Sequence, residues 1–500
     1  MMASVLCLLP LLVTPVLPLI DFYAHIARYF ALGHAAQDPW IAENYKPLWR
    51  LLPNLGLDAL GTGIMMVFPP LLGAKVIAAL IILAPFVGSL SLAKVVHGRI
   101  APLHVALAGL LTYSFILAWG FSNFLFGLGI AMGATAVWIA TTFQPRLQLV
   151  TGMVFGVVIM LVHGLVFGLW GLMLFWVEVM LVRQAMPLSI PNIAWRILRL
   201  GVLTILPLVI FFQTKTAGAE GGVTNAIANF GGYIENGQMW PRLIEELWQR
   251  GDSFLRVAES SYPVLDRLFG VLLWGSLAAG FVTRRFTLDQ RLRAAVVFFA
   301  LMVVIMPPNL FGVGHLDERI PLILLALIAA GIKTQPMAPS SSQRIQTFFG
   351  LLFVVHIAMV SIGWAKGAKE YDKFLTATEK LDQGGLAQTQ FFGETKQRDK
   401  GRFCKSLLFL ILLQKGSAVP TFANPTQQPI EITGPLARSL EAQRIHKETL
   451  PESHDAVSLE ALKKSGFRTV VTCDDPQLAP VHGQTHLVAK GRSWSLYQMP

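Results

Sequence analysis

The chain has 500 residues, of which 54% are hydrophobic and 14% charged, and its mean hydropathy is +0.57. This composition excludes an ordinary soluble globular protein and predicts a polytopic membrane protein. The formal net charge of +11 does not indicate nucleic-acid binding, because much of the Lys and Arg lies in short loops between apolar runs.

Eleven apolar runs approach the length of a membrane span, since about 20 helical residues cross roughly 30 Å of hydrocarbon. In chain order they cover about residues 4–20, 75–93, 101–118, 123–141, 147–163, 165–182, 197–213, 266–282, 292–308, 319–335 and 346–364. Lipid leaves backbone polar groups unsatisfied outside helices and closed barrels, so runs of this length favour helices. We therefore expect a predominantly α fold, a polytopic bundle of about 11 transmembrane helices.

Two apolar segments need a separate interpretation. The run at 4–20 lacks the basic segment and small-x-small cleavage site of a signal peptide, so we expect an uncleaved first helix. Residues 56–72 are also apolar, but a crossing there would invert every later loop, and Asp58 weakens it further. A helix at the outer interface, or a shallow re-entrant one, is expected instead.

Clusters of Lys and Arg in alternate loops set the orientation, because these residues resist translocation. The basic residues of these loops are Lys94, Arg99, Arg146, Arg183, Arg196, Arg199, Arg284, Arg285, Arg291, Arg293, Lys333 and Arg344. The intervening turns, such as 119–122 and 163–164, carry neither residue. The amino terminus is therefore expected inside and the carboxyl tail outside.

The chain divides by composition into two predicted domains. Residues 1–366 form the transmembrane domain, with long outer loops at 21–74 and 214–265. Residues 367–500 form a small extracytoplasmic α/β domain. Its expected elements are strands at 468–473 and 486–497, a helix at 458–465, a buried strand or helix at 406–413 and a turn-rich loop at 418–429.

The three cysteines are divided between these domains. Cys404 and Cys473 share the outer domain, where a disulfide is chemically permitted, but their spacing alone leaves the pairing open. Cys7 lies in the first span and cannot reach them. No C-x-x-C pair or His/Cys spacing indicates a zinc site.

Polar residues gather on the predicted outer side of the bundle. They are Asp21, His25, Asp58, Asn123, His163, His315, Asp317, Glu318 and Arg319. If 19–30 is helical, Asp21, His25 and Arg28 share one face. A carboxylate that takes a proton from a hydroxyl, beside cations that steady a departing phosphate, suits a group-transfer reaction at the membrane surface.

Each of these residues also has a structural interpretation. Asp21 is placed to cap the helix that follows it, and His163 to bond a neighbouring carbonyl in a turn. Residues 314–319 fit a solvated loop with an internal ion pair. Arg319 begins an apolar helix, whose amino terminus disfavours a cation, which implies an anionic partner: either Asp317 or a ligand phosphate.

The arrangement resembles the GT-C superfamily of membrane glycosyltransferases, and a group of bacterial membrane proteins related to it. The resemblance lies in an acid just after the first span, within a long outer loop, and in many spans followed by an outer carboxyl-terminal domain. The matching segments are DFYAHIARYF, SNFLFGLGIAM, LVHGLVFGL, HLDERIPLILLALI and VPTFANPTQQP.

The resemblance implies transfer of a sugar from a polyprenyl-phosphate donor to an envelope lipid, glycan or protein at the outer face of a bacterial inner membrane. It makes Asp21 the catalytic base. The substrate- and phosphate-binding residues that it implies are His25, Arg28, His163, His315, Asp317, Glu318 and Arg319.

Two features depart from the superfamily. The near-adjacent acids common in the first loop are absent, so no metal site is assigned, although Asp21 and His25 offer two ligands for a divalent metal. The WWD-type motif of oligosaccharyltransferases is also absent, which argues against protein N-glycosylation.

Two other classes of function remain open: a transporter or flippase of lipid-linked or small substrates, and a non-catalytic envelope assembly protein. A proton-coupled carrier needs ionisable residues near the bilayer centre, and here the middle of each span is nearly free of charge. The substitution Asp21→Ala separates the classes, since it should abolish transfer in an enzyme and leave a scaffold intact.

Overall fold

The computed structural model describes residues 2–184, 190–213, 239–307, 314–391, 398–421, 423, 427–449, 459–473 and 486–499. Helices predominate among them, which confirms the predominantly α fold. Seven of the described helices are long and apolar enough to cross a membrane. The chain is therefore a multi-pass membrane protein.

The helices are α1 (Met2–Leu8), α2 (Phe22–His34), α3 (Pro39–Asn44), α4 (Leu55–Val67), α5 (Pro70–His97), α6 (Pro102–Gly109), α7 (Phe115–Trp119), α8 (Ser122–Ala140), α9 (Pro145–Val162), α10 (Gly164–Gln184), α11 (Ile190–Gln213), α12 (Met239–Leu255), α13 (Pro263–Val282), α14 (Gln290–Ile305), α15 (Leu316–Gly331), α16 (Pro339–Thr378), α17 (Arg398–Lys415), α18 (Gly434–Thr449) and α19 (Leu459–Lys464). The strands are β1 (Tyr45–Pro47), β2 (Phe286–Leu288), β3 (Ile332–Thr334), β4 (Ala387–Phe391), β5 (Ile430–Ile432), β6 (Thr469–Cys473), β7 (His486–Lys490) and β8 (Trp494–Gln498).

Some predicted spans are shorter or interrupted in the structure. The first, at 4–20, is only the 7-residue α1 and a 3-10 turn at Leu9–Leu12, because Pro10 disfavours helical geometry in the residue before it. The span predicted at 101–118 is divided into α6 and α7. Helix α4 has 13 residues and so is about 20 Å long, which is shorter than the hydrocarbon of a bilayer.

The chain forms two compact units. Unit 1 contains Met1–Leu9, Leu80–Leu117 and Ser122–Val360, and unit 2 contains Pro10–Ala79, Ala118–Phe121 and Ser361–Pro500. The prediction grouped the first outer loop with the membrane domain. In the structure this loop belongs to unit 2, together with the tail.

Unit 1 is built from apolar helices in close contact. Helix α10 packs along α8, α9 and α14, and α15 packs along α14 and α6. Helices α5 and α8 approach at Gly88 and Gly129, where a Cβ on either residue would overlap the other helix's backbone. Small residues permit such backbone approach in membrane helices, where dispersion contacts replace the hydrophobic effect.

Unit 2 contains a four-stranded sheet in the order β4-β6-β8-β7, in which β4 and β6 are parallel and the other pairs antiparallel. Strand β1 of the first outer loop pairs with β5 of the tail, and Tyr45 donates its hydroxyl proton to the carbonyl of Val419 at 2.6 Å. A hydrogen-bonded pair of strands cannot be separated by a bilayer. The first outer loop and the tail therefore lie on the same side of the membrane, as the predicted orientation requires.

Cys404 and Cys473 form a disulfide, a pairing that the spacing of the sequence left open. Their Cα atoms are 6.0 Å apart, and their sequence separation is 69. The bond joins α17 to the last residue of β6, within unit 2. Cys7 is buried and carries a free thiol.

Replacing Cys404 and Cys473 together by serine should lower the thermal stability of unit 2, because the bond closes a long loop between two residues whose sequence separation is 69. Chain entropy sets the upper limit of the loss at about 4 kcal/mol. Thermal unfolding of the purified protein with and without dithiothreitol measures the effect. The reductant should destabilise the wild type and leave the double variant unchanged; wild-type unfolding that ignores the reductant would contradict the prediction.

Candidate functional site

Asp21 lies at the amino-terminal end of α2, where backbone hydrogen bonds hold it in place. Its own N–H donates to the carbonyl of Trp119 at 3.1 Å, and the N–H of Ile20 donates to that of Ala118 at 3.0 Å. Asp21 occupies the N-cap position, but its side chain accepts no capping hydrogen bond. The capping interpretation of its carboxylate is therefore wrong.

Gly120 allows the chain to pass close to Asp21. Its φ angle is +84°, which favours glycine, and a Cβ there would lie 2.6 Å from the nitrogen of Phe22 and 2.8 Å from that of Asp21. A side chain at this position would therefore displace the start of α2. The sequence offered no signal for this role beyond a glycine in a short turn.

Helix α2 is firmly packed within unit 2. It lies against α4 and α17, and its face with Phe22 and Ile26 is buried. The hydroxyl of Tyr23 accepts a hydrogen bond from the backbone N–H of Leu17 at 3.2 Å. The side chains that α2 presents are therefore held in fixed directions.

Arg28 is buried on α2 and forms an ion pair with Asp58 of α4. Its Nη2 and Nε atoms donate to the same carboxylate oxygen at 2.6 and 3.1 Å, and the two side chains are 1% and 0% exposed. Because such a buried pair neutralises both charges, Arg28 is held as a structural cation. Asp58 drew attention in the sequence as an acid in an apolar run, but its partner 30 residues away was not predicted.

His25 is partly exposed and lies between Asp21 and Arg28 along α2. Nη2 of Arg28 lies 2.9 Å from Nδ1 of His25. A guanidinium can only donate, so Nδ1 accepts and the imidazole proton is assigned to Nε2. Burial, together with the charge of Arg28, holds the pKa of His25 well below its usual range. His25 is therefore a neutral hydrogen-bond donor rather than a cation.

A second cluster lies in unit 1, at His163, Arg319 and Phe124. His163 ends α9, and its Nε2 lies 3.5 Å from Nη1 of Arg319, which is a weak contact. The guanidinium carbon of Arg319 is 5.2 Å from the ring centre of Phe124, within the range of a cation–π interaction. Phe124 also meets His163 edge to face at 5.9 Å.

His163 is more than a turn residue. Its backbone N–H closes the last turn of α9 by donating to the carbonyl of Ile159 at 2.7 Å, while Nε2 of its ring lies beside Arg319 rather than on a neighbouring carbonyl. Burial, followed by the charge of Arg319, lowers the pKa of His163 to about 3. The neutral ring accepts at Nε2, so its proton is on Nδ1, and that buried atom has no hydrogen-bond partner among the described residues.

Residues 314–319 contain the side-chain pair that the sequence indicated, His315 with Glu318, but they are not a solvated loop: residues 316–319 form the first turn of α15, and Leu316 and Arg319 are buried. His315 has a left-handed backbone conformation with φ of 57°, and its Nδ1 lies 2.8 Å from Oε2 of Glu318. Asp317 in the same turn is buried. Glu318 therefore holds His315, while Arg319 points to His163 and Phe124.

The predicted site residues fall into both units. Asp21, His25 and Arg28 belong to unit 2, whereas His163, His315, Asp317, Glu318 and Arg319 belong to unit 1. Direct contacts join His25 to Arg28, His163 to Arg319, and His315 to Glu318. Their predicted roles in binding and catalysis stay predictions.

The donor atoms do not fit a divalent metal. Across the described ranges, no three His, Cys, Asp or Glu side chains lie close enough together to hold one. Nδ1 of His25 already accepts from Arg28, whose positive charge also disfavours a cation beside it. No step of the reaction proposed below therefore uses a metal.

Comparison with known proteins gives little beyond one structural likeness. No family model matches the chain, and no curated protein does. A solved structure described as the crystal structure of ArnT from Cupriavidus metallidurans bound to undecaprenyl phosphate is similar, with 12% sequence identity and a TM-score of 0.48. The similarity covers 99% of this chain and 96% of that one.

Substituting Gly120 by alanine should displace Asp21 and reduce activity, because the added Cβ would meet the backbone nitrogens of Asp21 and Phe22. The strain at a positive φ should also cost more than about 1 kcal/mol of stability. The matched control is Gly63→Ala on α4, where a Cβ meets nothing within 4 Å. The enzymatic rate and the melting temperature of the two variants test this prediction. Equal values for Gly120→Ala and Gly63→Ala would contradict the role of Gly120.

Acid should destabilise the protein partly through His163. Its pKa falls from 6.5 to about 3 on folding, so the contribution of its neutral form is complete above pH 6.5 and is lost as the pH falls toward 3. At pH 5 the loss is about 2 kcal/mol. His163→Gln, which cannot be protonated, should show a smaller drop in melting temperature between pH 7 and pH 5. An unchanged drop would show that His163 does not titrate in this way.

Proposed function

We propose that the protein transfers a sugar from a polyprenyl-phosphate donor to an acceptor hydroxyl at the outer face of the membrane, with Asp21 as the catalytic base. The observation that carries the proposal is the state of Asp21: its backbone is held by Ala118, Trp119 and Gly120, and its carboxylate is not used for capping. A carboxylate held in this way is better placed to remove a proton from a substrate than to stabilise the helix.

Asp21 immediately precedes the amino terminus of α2, where the positive end of the helix dipole lies. An ionised carboxylate there takes the proton of the acceptor hydroxyl as the new glycosidic bond forms. The bond between the anomeric carbon and the phosphate oxygen breaks, and the polyprenyl phosphate leaves with the electron pair.

The histidines and arginines have different roles in this proposal. His25 donates from Nε2 to a substrate oxygen, and Arg28 is a positioning residue that fixes the tautomer of His25 while Asp58 balances its charge. In unit 1, Arg319 and His163 form a separate candidate phosphate site, in which Arg319 binds a phosphate oxygen and His163 donates to one from Nδ1. In unit 2, a fixed donor such as His25 stabilises the charge that develops on a leaving phosphate. The pair of His315 and Glu318 holds the turn that positions Arg319.

The compartment supports a lipid-linked donor. The disulfide between Cys404 and Cys473 is expected in an oxidising compartment, which supports a tail outside the cytoplasm. Because β1 of the first outer loop pairs with β5 of the tail, we propose the same side for the first outer loop and Asp21. Nucleotide sugars are not available on that side, so the sugar is expected to come from a donor anchored in the membrane. The proposed location is a bacterial inner membrane, and the acceptor is an envelope lipid, glycan or protein.

Replacing Asp21 by asparagine should lower the rate of transfer by about 10²- to 10⁴-fold, the usual contribution of a positioned base. Mass spectrometry of lipid-linked sugars and envelope glycans compares a gene-deleted strain that carries the wild-type gene, the Asp21→Asn variant or no gene. The deletion and Asp21→Asn strains should lose the same glycan and accumulate the polyprenyl-phosphate sugar.

The matched control is Asp38→Asn in the same outer loop. Asp38 caps α3 by accepting from the backbone N–H groups of Trp40 and Ile41 at 2.9 and 3.2 Å, and asparagine caps equally well. This variant should restore wild-type glycans. Full restoration by Asp21→Asn would indicate a scaffold or a transporter, and unchanged glycans in the deletion strain would contradict sugar transfer altogether.

A further inference from the structure

A groove of about 470 Å³ lies between α10 and α14 in unit 1. Its walls are apolar, and Trp176 meets Phe298 across it with ring centres 5.6 Å apart. One end is polar instead, where Arg183 of α10 and Arg293 of α14 line it. The groove therefore combines an apolar channel with a basic mouth.

The groove has the depth of one leaflet. Trp176 lies eight residues before Gln184, the end of α10, and Phe298 lies eight residues after Gln290, the start of α14. The two helices run antiparallel here, since both ends meet at the mouth. Eight residues of helix extend about 12 Å, and half of a bilayer's hydrocarbon is about 15 Å thick.

The apolar wall opens outward rather than into the protein. Val297 and Leu301 of α14 are 53% and 60% exposed. In a multi-pass membrane protein, large apolar side chains with this exposure face the lipid chains. A hydrocarbon chain can therefore enter the groove from the side.

The charge at the mouth is not compensated by the protein. No acidic residue lines the groove, and neither Arg183 nor Arg293 forms an ion pair with any residue that the structure describes. Two neighbouring cations are paired instead: Arg291 and Lys333 donate to the carboxylate of Asp289 at 2.8 and 2.7 Å. The contrast leaves two exposed guanidinium groups at the mouth of an apolar channel.

We infer that this groove is a binding site for an anionic phospholipid of the surrounding bilayer. The phosphate lies between Arg183 and Arg293, and one acyl chain follows the groove toward Trp176 and Phe298. Guanidinium groups match phosphate oxygens in geometry and charge, and the apolar walls require a ligand with a chain. Both arginines lie at helix ends next to loops predicted on the cytoplasmic side, where basic pockets between helices meet anionic headgroups. The site is independent of the proposed sugar transfer.

Native mass spectrometry of the full-length protein in detergent tests the site. The probes are dioleoyl phosphatidylglycerol, which is anionic, and dioleoyl phosphatidylethanolamine, which has the same chains and no net charge. The wild type should bind the anionic lipid more tightly. The double variant Arg183→Gln/Arg293→Gln should bind it about 30-fold more weakly, as expected for two lost charges near a membrane surface, and should lose the preference.

The matched control is Arg146→Gln/Arg344→Gln, which removes two exposed arginines from loops predicted on the same side. This control should keep the affinity and the preference of the wild type. Glycerol 3-phosphate, which has the charge but no chain, should not displace the lipid at equal concentration. Equal loss in both double variants would assign the effect to general surface charge. That result, or displacement by glycerol 3-phosphate, would overturn the proposal.

Discussion

The ion pair between Arg28 and Asp58 is the constraint on which the arrangement around Asp21 depends. A guanidinium that is 1% exposed requires a counter-charge, and removing one partner of such a pair typically costs 3–5 kcal/mol. The pair joins α2 to α4 and orients the face of α2 that carries His25. Asp21 immediately precedes the same helix, and the backbone hydrogen bonds of Ile20 and Asp21 to Ala118 and Trp119 hold its backbone in position.

Both units place a neutral histidine beside an arginine. His25 accepts from Arg28 in unit 2, and His163 faces Arg319 in unit 1. In each case burial and the neighbouring cation lower the pKa of the imidazole, so the ring supplies a hydrogen bond without a charge. In the proposed function Arg319 supplies charge to a phosphate and His163 a hydrogen bond, whereas the charge of Arg28 is already balanced by Asp58. The sequence predicted phosphate binding by both residue types and did not distinguish their charges.

Much of the fold follows from local pattern. The apolar runs, the strand near 468–473 and the helix near 458–465 were predicted within a few residues, because periodicity and length are local properties. The single strand predicted at 486–497 is instead two antiparallel strands, β7 and β8. Two of the predicted spans are wrong in length or continuity. Pro10 ends α1 early, and the run at 101–118 is long enough to span but breaks into two helices. The pairing of β1 with β5 joins segments nearly 400 residues apart, which no local pattern encodes.

The sequence by itself determined the class of protein, the approximate positions of its helices and the residue types available for chemistry, because composition and hydrophobic periodicity depend on the chain alone. Only the tertiary structure decided how those residues are used. It paired Arg28 with Asp58, left the carboxylate of Asp21 out of capping, and closed the disulfide of Cys404 and Cys473. The physical reason is that charge state and hydrogen bonding depend on burial and on partners distant in sequence, which exist only once the chain has folded.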